Sequence, residues 1–85
     1  MAESNEDILE LVRKVLSENC RVEKKVQLSD RLAEDLRLDS VGMLTMALEI
    51  ENHYRMNLGD EPDRPPRTVA DVVQLISIRL KEKGN

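Results

Sequence analysis

Leu36-Arg37-Leu38-Asp39-Ser40-Val41-Gly42-Met43-Leu44-Thr45-Met46-Ala47-Leu48-Glu49-Ile50 is the stretch whose reading decides the fold. A loop ends and an apolar helix begins at Ser40, and the helix is expected to span Ser40 to Arg55. At about 100° per residue, Met43, Met46, Ala47, Ile50 and Tyr54 fall on one side, and Val41, Leu44 and Leu48 fall almost opposite. A helix in a small bundle needs one apolar stripe for the core. The longer set, Met43 to Tyr54, meets that need, so the second stripe is left facing outward beside Ser40. An apolar patch rimmed by polar residues marks a partner site. Glu51, with Glu49 to one side, is placed to pair with basic residues of such a partner. The alternative is a helix buried on both sides between its neighbours.

Ser40 is the residue of chemical interest. A helix start offers free backbone N–H groups and the positive end of the macrodipole, which suits a phosphate ester. A nucleophilic serine would need a base within hydrogen-bond reach and an oxyanion hole. His53, the single histidine, lies more than three turns further along the same helix. No Gly-x-Ser-x-Gly elbow is present. Catalysis is therefore not expected, and Ser40 reads as an attachment point. One His and one Cys lack metal-ligand spacing, and the carboxylates are scattered, so no metal site is expected either. Glu34-Asp35 reads as loop charge near Ser40.

Upstream, a first helix is expected from about Asn5 to Asn19. Ser4 is its N-cap with Asp7 three residues on, and Ile8, Leu11, Val12, Val15 and Leu16 form its buried face. Cys20 to Asp39 is a long connection in which single apolar residues (Val22, Val26, Leu28, Leu32, Leu36, Leu38) pin the chain to the helices. Leu32 and Leu36 are placed to share a short turn of helix. Long connections of this kind are uncommon in small domains and are often functional.

Downstream, Met56 to Arg67 holds all three prolines and reads as a loop, with a short helical turn at Asp60 to Arg64 as an option. Thr68-x-x-Asp71 opens a last helix as a capping box. Val69, Val72, Val73, Ile76 and Leu80 form its inner stripe, and Gly84 stops it. The expected fold is all-α: a small three- to four-helix bundle with a long loop between the first and second helices. Residues 1–85 form one domain.

Composition narrows the function class. Hydrophobic residues are 40% and charged residues 35%, which suits a folded helical domain. Tyr54 is the only aromatic residue besides His53, so the core is built from adaptable Leu, Ile, Val and Met. Net charge is −4 with no basic cluster, so nucleic acid is not an expected partner. A single cysteine, Cys20, excludes an internal disulfide and fits a reducing compartment. The N-terminus does not read as a signal peptide and no apolar run spans a membrane, so a cytoplasmic monomer is expected.

These residues resemble the phosphopantetheine attachment segment of acyl carrier proteins and related peptidyl carriers. The core of the resemblance is Asp39-Ser40-Val41, preceded by Glu34-Asp35-Leu36. It extends through Met46-Ala47-Leu48-Glu49-Ile50-Glu51 and Thr68-Val69-Ala70-Asp71-Val72-Val73 to nearly the whole chain. It implies that a phosphopantetheinyl transferase, using coenzyme A and magnesium, installs 4′-phosphopantetheine on Ser40 through a phosphodiester. The arm's thiol then carries an acyl or aminoacyl group as a thioester. Asp39 would help present the serine and its magnesium. Val41, Leu44, Leu48 and Glu51 would contact loading and processing enzymes, and Met46, Ile50 and Tyr54 would line the space for a guest chain.

The sequence departs from the pattern in places. Arg37 stands where the family usually has glycine, and Gly42 and Thr45 stand where carriers of primary fatty-acid synthesis commonly have acids. A specialised carrier of polyketide or other secondary biosynthesis is favoured over a housekeeping fatty-acid carrier. An acyl cargo is favoured over an aminoacyl or peptidyl one. A reading from a different class is an unmodified helical adaptor that uses the Val41, Leu44, Leu48 face only for binding.

Overall fold

Two reciprocal capping boxes set where the outer helices begin. Ser4 Oγ accepts the Asp7 N–H at 3.1 Å while Asp7 Oδ2 accepts the Ser4 N–H at 3.3 Å. At the last helix, Thr68 Oγ1 accepts the Asp71 N–H at 3.1 Å. Asp71 Oδ2 in turn accepts the Thr68 N–H at 3.1 Å and the Arg67 N–H at 3.0 Å. Each box satisfies helix N–H groups that have no carbonyl of their own to meet. The computed structural model describes residues 4–58 and 66–83. Among them are α1 (Asn5–Asn19), α2 (Ser40–Tyr54) and α3 (Val69–Lys83). The optional turn at Asp60 to Arg64 and the stop at Gly84 lie outside the described residues.

The first two helices end on left-handed arginines. Arg21 (φ 58°) follows α1, and the Val22 N–H returns to the Leu16 carbonyl at 3.0 Å. Arg55 (φ 54°) closes α2, and the Met56 N–H returns to the Glu51 carbonyl at 3.1 Å. Left-handed closure of this kind satisfies carbonyls that the helix leaves open.

α1 packs against both α2 and α3. Ile8, Val12 and Leu16 of α1 meet Met46 and Ile50 of α2 and Val69, Val72, Val73 and Ile76 of α3 in one buried core. Leu11, Met43, Ala47, Tyr54 and Leu80 sit half-buried at its margin. The inward face of every helix is therefore the one that helical spacing marks. Among the described residues no helix is long and apolar enough to cross a membrane.

The long connection is tied down on one side to the start of α3. Val22, Val26, Leu32, Leu36 and Leu38 are buried, as their isolated positions in a polar segment imply. The Asp35 and Leu36 N–H groups both return to the Arg31 carbonyl, so Leu32 and Leu36 do share one turn. Val69 N–H donates to the Asp30 carbonyl and Leu32 N–H to the Arg67 carbonyl, each at 2.9 Å, around an antiparallel bridge between Arg31 and Thr68. Leu28 departs from the expected pinning. It is 44% exposed, because its anchor is its carbonyl, which accepts the Ala70 N–H at 2.9 Å.

Asp30 is the polar residue at the centre of this seam. It is buried, and its carboxylate accepts Lys24 Nζ and the Gln27 N–H, both at 2.7 Å. The Lys24 hydrogen bond, then the Gln27 N–H, hold its carboxyl below the usual range.

Candidate functional site

Asp39 carries the N-cap of α2. Its backbone is extended, and its Oδ1 accepts the Gly42 N–H at 2.7 Å. A serine beside a helix start commonly becomes the cap itself. Here the aspartate takes that task, and Ser40 is the first residue inside the helix. Ser40 is exposed, and its hydroxyl makes no hydrogen bond among the described residues. Gly42 has no side chain to crowd the cap: a Cβ there would stand 3.2 Å from Leu38 Cδ2 and 3.3 Å from Asp39 Oδ1.

The backbone at this end favours a negative charge. The Ser40 and Val41 N–H groups have no carbonyl four residues back within the helix, and the macrodipole points its positive end here. An exposed primary hydroxyl among such donors fits an ester-linked phosphate. The chain leading in is held firmly, since Leu36 and Leu38 are buried and the Leu38 N–H donates to the Leu32 carbonyl at 2.9 Å. Between these leucines Arg37 is exposed and left-handed, with φ 57°.

No base stands beside the hydroxyl. His53 is exposed thirteen residues further along α2, about 20 Å away at 1.5 Å per residue. Its ring meets the Tyr54 ring edge-on, with centroids 4.9 Å apart. Cys20 is half-buried, and its Sγ lies 3.5 Å from the Gly42 carbonyl oxygen. Burial, with Glu49 adding to it, pushes that thiol's pKa up, so it stays protonated at neutral pH. Among the described residues no group of three or more His, Cys, Asp or Glu is placed to hold a metal ion.

The outward stripe of α2 begins one residue after Ser40. Val41 is 71% exposed, Leu44 59% and Leu48 49%. The alternative of burial on both sides fails, because α1 and α3 lie on the Met46 and Ile50 side. Thr45 on the same face turns its hydroxyl back to the Val41 carbonyl at 2.8 Å.

Glu51 flanks the stripe and has an internal partner that spacing did not reveal: its Oε2 accepts the Leu58 N–H at 2.9 Å. Arg79 Nε of α3 donates to the Leu58 carbonyl at 3.1 Å, so both sides of this buried residue's backbone are held. Beside it, Glu51, Asn52, Arg55, Met56 and Asn57 line an open polar depression of about 460 Å³. A single acid seven residues before an isolated leucine leaves no periodic signal. The bond needed the folded chain to be seen.

Comparison with known proteins finds relatives along nearly the whole chain. The acyl carrier protein of Tropheryma whipplei strain Twist is 32% identical over 77 residues, covering 89% of this chain and 94% of the relative. That of Coprothermobacter proteolyticus is 30% identical over 79 residues, 92% of this chain and 96% of the relative. That of Rhodococcus erythropolis is 29% identical over 85 residues, 99% of this chain and 92% of the relative. No family model matches the chain.

Proposed function

The chain belongs to the acyl carrier protein family, and on that premise we propose that it carries an acyl intermediate on 4′-phosphopantetheine esterified to Ser40. It is a non-catalytic carrier, as the family is. The observation that supports Ser40 best is the division of labour at the start of α2. Asp39 caps the helix through Gly42, so the adjacent hydroxyl stays exposed and uncommitted.

A phosphopantetheinyl transferase using coenzyme A and magnesium is the partner that installs the group. When bound, the group supplies a thiol that holds the acyl chain as a thioester. This chain's residues then orient and present it. The capped helix start would position Ser40, and the free first-turn N–H groups would offset the phosphate's charge. Val41, Leu44 and Leu48, with Glu51 at the margin, form the face that loading and processing enzymes read.

A specialised biosynthetic pathway is favoured over bulk fatty-acid synthesis. The first turn of α2 holds no acid, and Glu51 is engaged by Leu58. The helix therefore offers partners an apolar surface more than a charged one.

Incubation with coenzyme A, magnesium and a broad-specificity transferase should add one phosphopantetheine mass. Ser40→Ala should abolish the gain. If the parent chain gains no mass with several transferases, the carrier reading fails. Intact mass of the protein from its own host would then identify the cargo.

A further inference from the structure

We infer that Arg37 binds the phosphate of the group carried on Ser40, an inference that rests on the carrier reading above. Arg37 is the only basic residue between positions 32 and 48, and Glu34, Asp35 and Asp39 share that segment. A phosphodiester on Ser40 adds another negative charge directly beside Asp39. The first-turn N–H groups offset part of that repulsion, and the guanidinium three residues earlier is the one side-chain cation of the segment.

Three other arginines of the chain are tied to acids, while Arg21 shares with Arg37 the lack of an ion pair among the described residues. Arg13 pairs with Glu10, Arg31 with Glu34 and Asp35, and Arg79 with Glu82. Arg37 has no ion pair or hydrogen bond to its side chain among the described residues. The acids nearest to it in sequence have other partners: Asp35 Oδ2 accepts the Arg31 N–H at 2.7 Å, and Asp39 Oδ1 accepts the Gly42 N–H.

The backbone around it is fixed. Leu36 and Leu38 are buried on either side, and the Leu36 and Leu38 N–H groups donate to the Arg31 and Leu32 carbonyls. Freedom is therefore confined to the Arg37 side chain itself. The residue also holds a left-handed conformation that glycine adopts without hindrance. An arginine there puts a long, always-charged fork three residues before the attachment point. A guanidinium matches phosphate oxygens with two parallel N–H donors, which a single ammonium does not.

The test uses the full chain, apo and loaded, for the parent, Arg37→Gln, Arg37→Gly and Lys14→Gln. Lys14 is exposed on α1 and matches the charge change. Arg37→Gly keeps the left-handed backbone comfortable, so that variant is expected to fold. Mass spectrometry first establishes loading; absence of loading in the parent overturns the carrier reading, and this inference with it.

In loaded protein, NMR then reads the Arg37 Nε–H and the phosphorus nucleus. Loading should slow exchange of the Arg37 Nε–H severalfold. The phosphorus signal should shift and sharpen in both Arg37 variants, with Lys14→Gln behaving as the parent. Equal Arg37 Nε–H exchange in apo and loaded protein, with an unchanged phosphorus signal in the variants, overturns the inference and leaves the carrier reading standing. An equal response to Lys14→Gln would reduce the effect to net charge and overturn it as well.

Discussion

Glu51 reaches seven residues along the chain to accept the Leu58 N–H at 2.9 Å, so the acid at the margin of the exposed stripe also fastens the segment that leaves α2. Leu58 is buried, and its N–H has this carboxylate as its acceptor. Removing the acceptor from a buried donor costs about 1–3 kcal/mol. Glu51→Ala should therefore lower stability by that order and speed hydrogen exchange at the Leu58 amide. Glu51→Gln retains a carbonyl acceptor and should lose less. An Ala variant with unchanged Leu58 exchange would show that the bond contributes nothing.

The two faces of α2 should respond oppositely to substitution. Leu44 is 59% exposed. Leu44→Asp should stay within about 0.5 kcal/mol of the parent, as surface changes usually do. Ile50 is fully buried, and Ile50→Ala should cost about 2–5 kcal/mol. Urea titration measures both. Under the proposed function, Leu44→Asp should also impair acyl loading by a partner enzyme while the fold persists, whereas any loss in Ile50→Ala should come with a loss of stability.

How much of this was legible in the sequence depended on whether the signal was periodic. Ser4 with Asp7, and Thr68 with Asp71, are fixed-offset pairs, and both form their capping boxes. The stripe containing Met46 and Ile50 obeys helical spacing, and it is buried. Residues that act across the fold left no such trace. Asp30 looks like any loop acid in the sequence, and only the approach of Lys24, Gln27 and Val69 gives it partners. Leu28 looks like a pin in the sequence, yet its backbone does the anchoring. Arginine by itself gives no hint of the left-handed state of Arg37; only the glycine that the family usually has at that position points to it.

Acid should weaken the seam between the long connection and α3. Asp30 is held below the usual carboxylate range chiefly by Lys24, and Asp71 by the Arg67 and Thr68 N–H groups. A carboxylate depressed in the folded state favours folding fully above its unfolded value, about 3.9, and loses that contribution as pH falls through its folded value. Stability measured by urea midpoint should therefore be flat in this respect at neutral pH and decline from about pH 4 downward. Asp71→Asn should lower the neutral-pH midpoint and make the decline shallower. A decline equally steep in Asp71→Asn would remove Asp71 from the account.

The cap on α2 links stability to the proposed chemistry. Asp39 Oδ1 on the Gly42 N–H is a single bond that starts the helix and leaves Ser40 free. Replacing an N-cap aspartate by alanine costs about 0.5–2 kcal/mol. For a domain of this size, 1 kcal/mol shifts Tm by roughly 4–8 °C. Asp39→Ala should therefore melt several degrees lower, and Asp39→Asn, which keeps a capping oxygen, should melt close to the parent. The two variants then separate capping from charge in the transferase reaction. If Asp39 acts on the serine through its negative charge, both lose phosphopantetheine transfer. If it acts only by holding the helix start, Asp39→Asn retains transfer and Asp39→Ala alone is slowed.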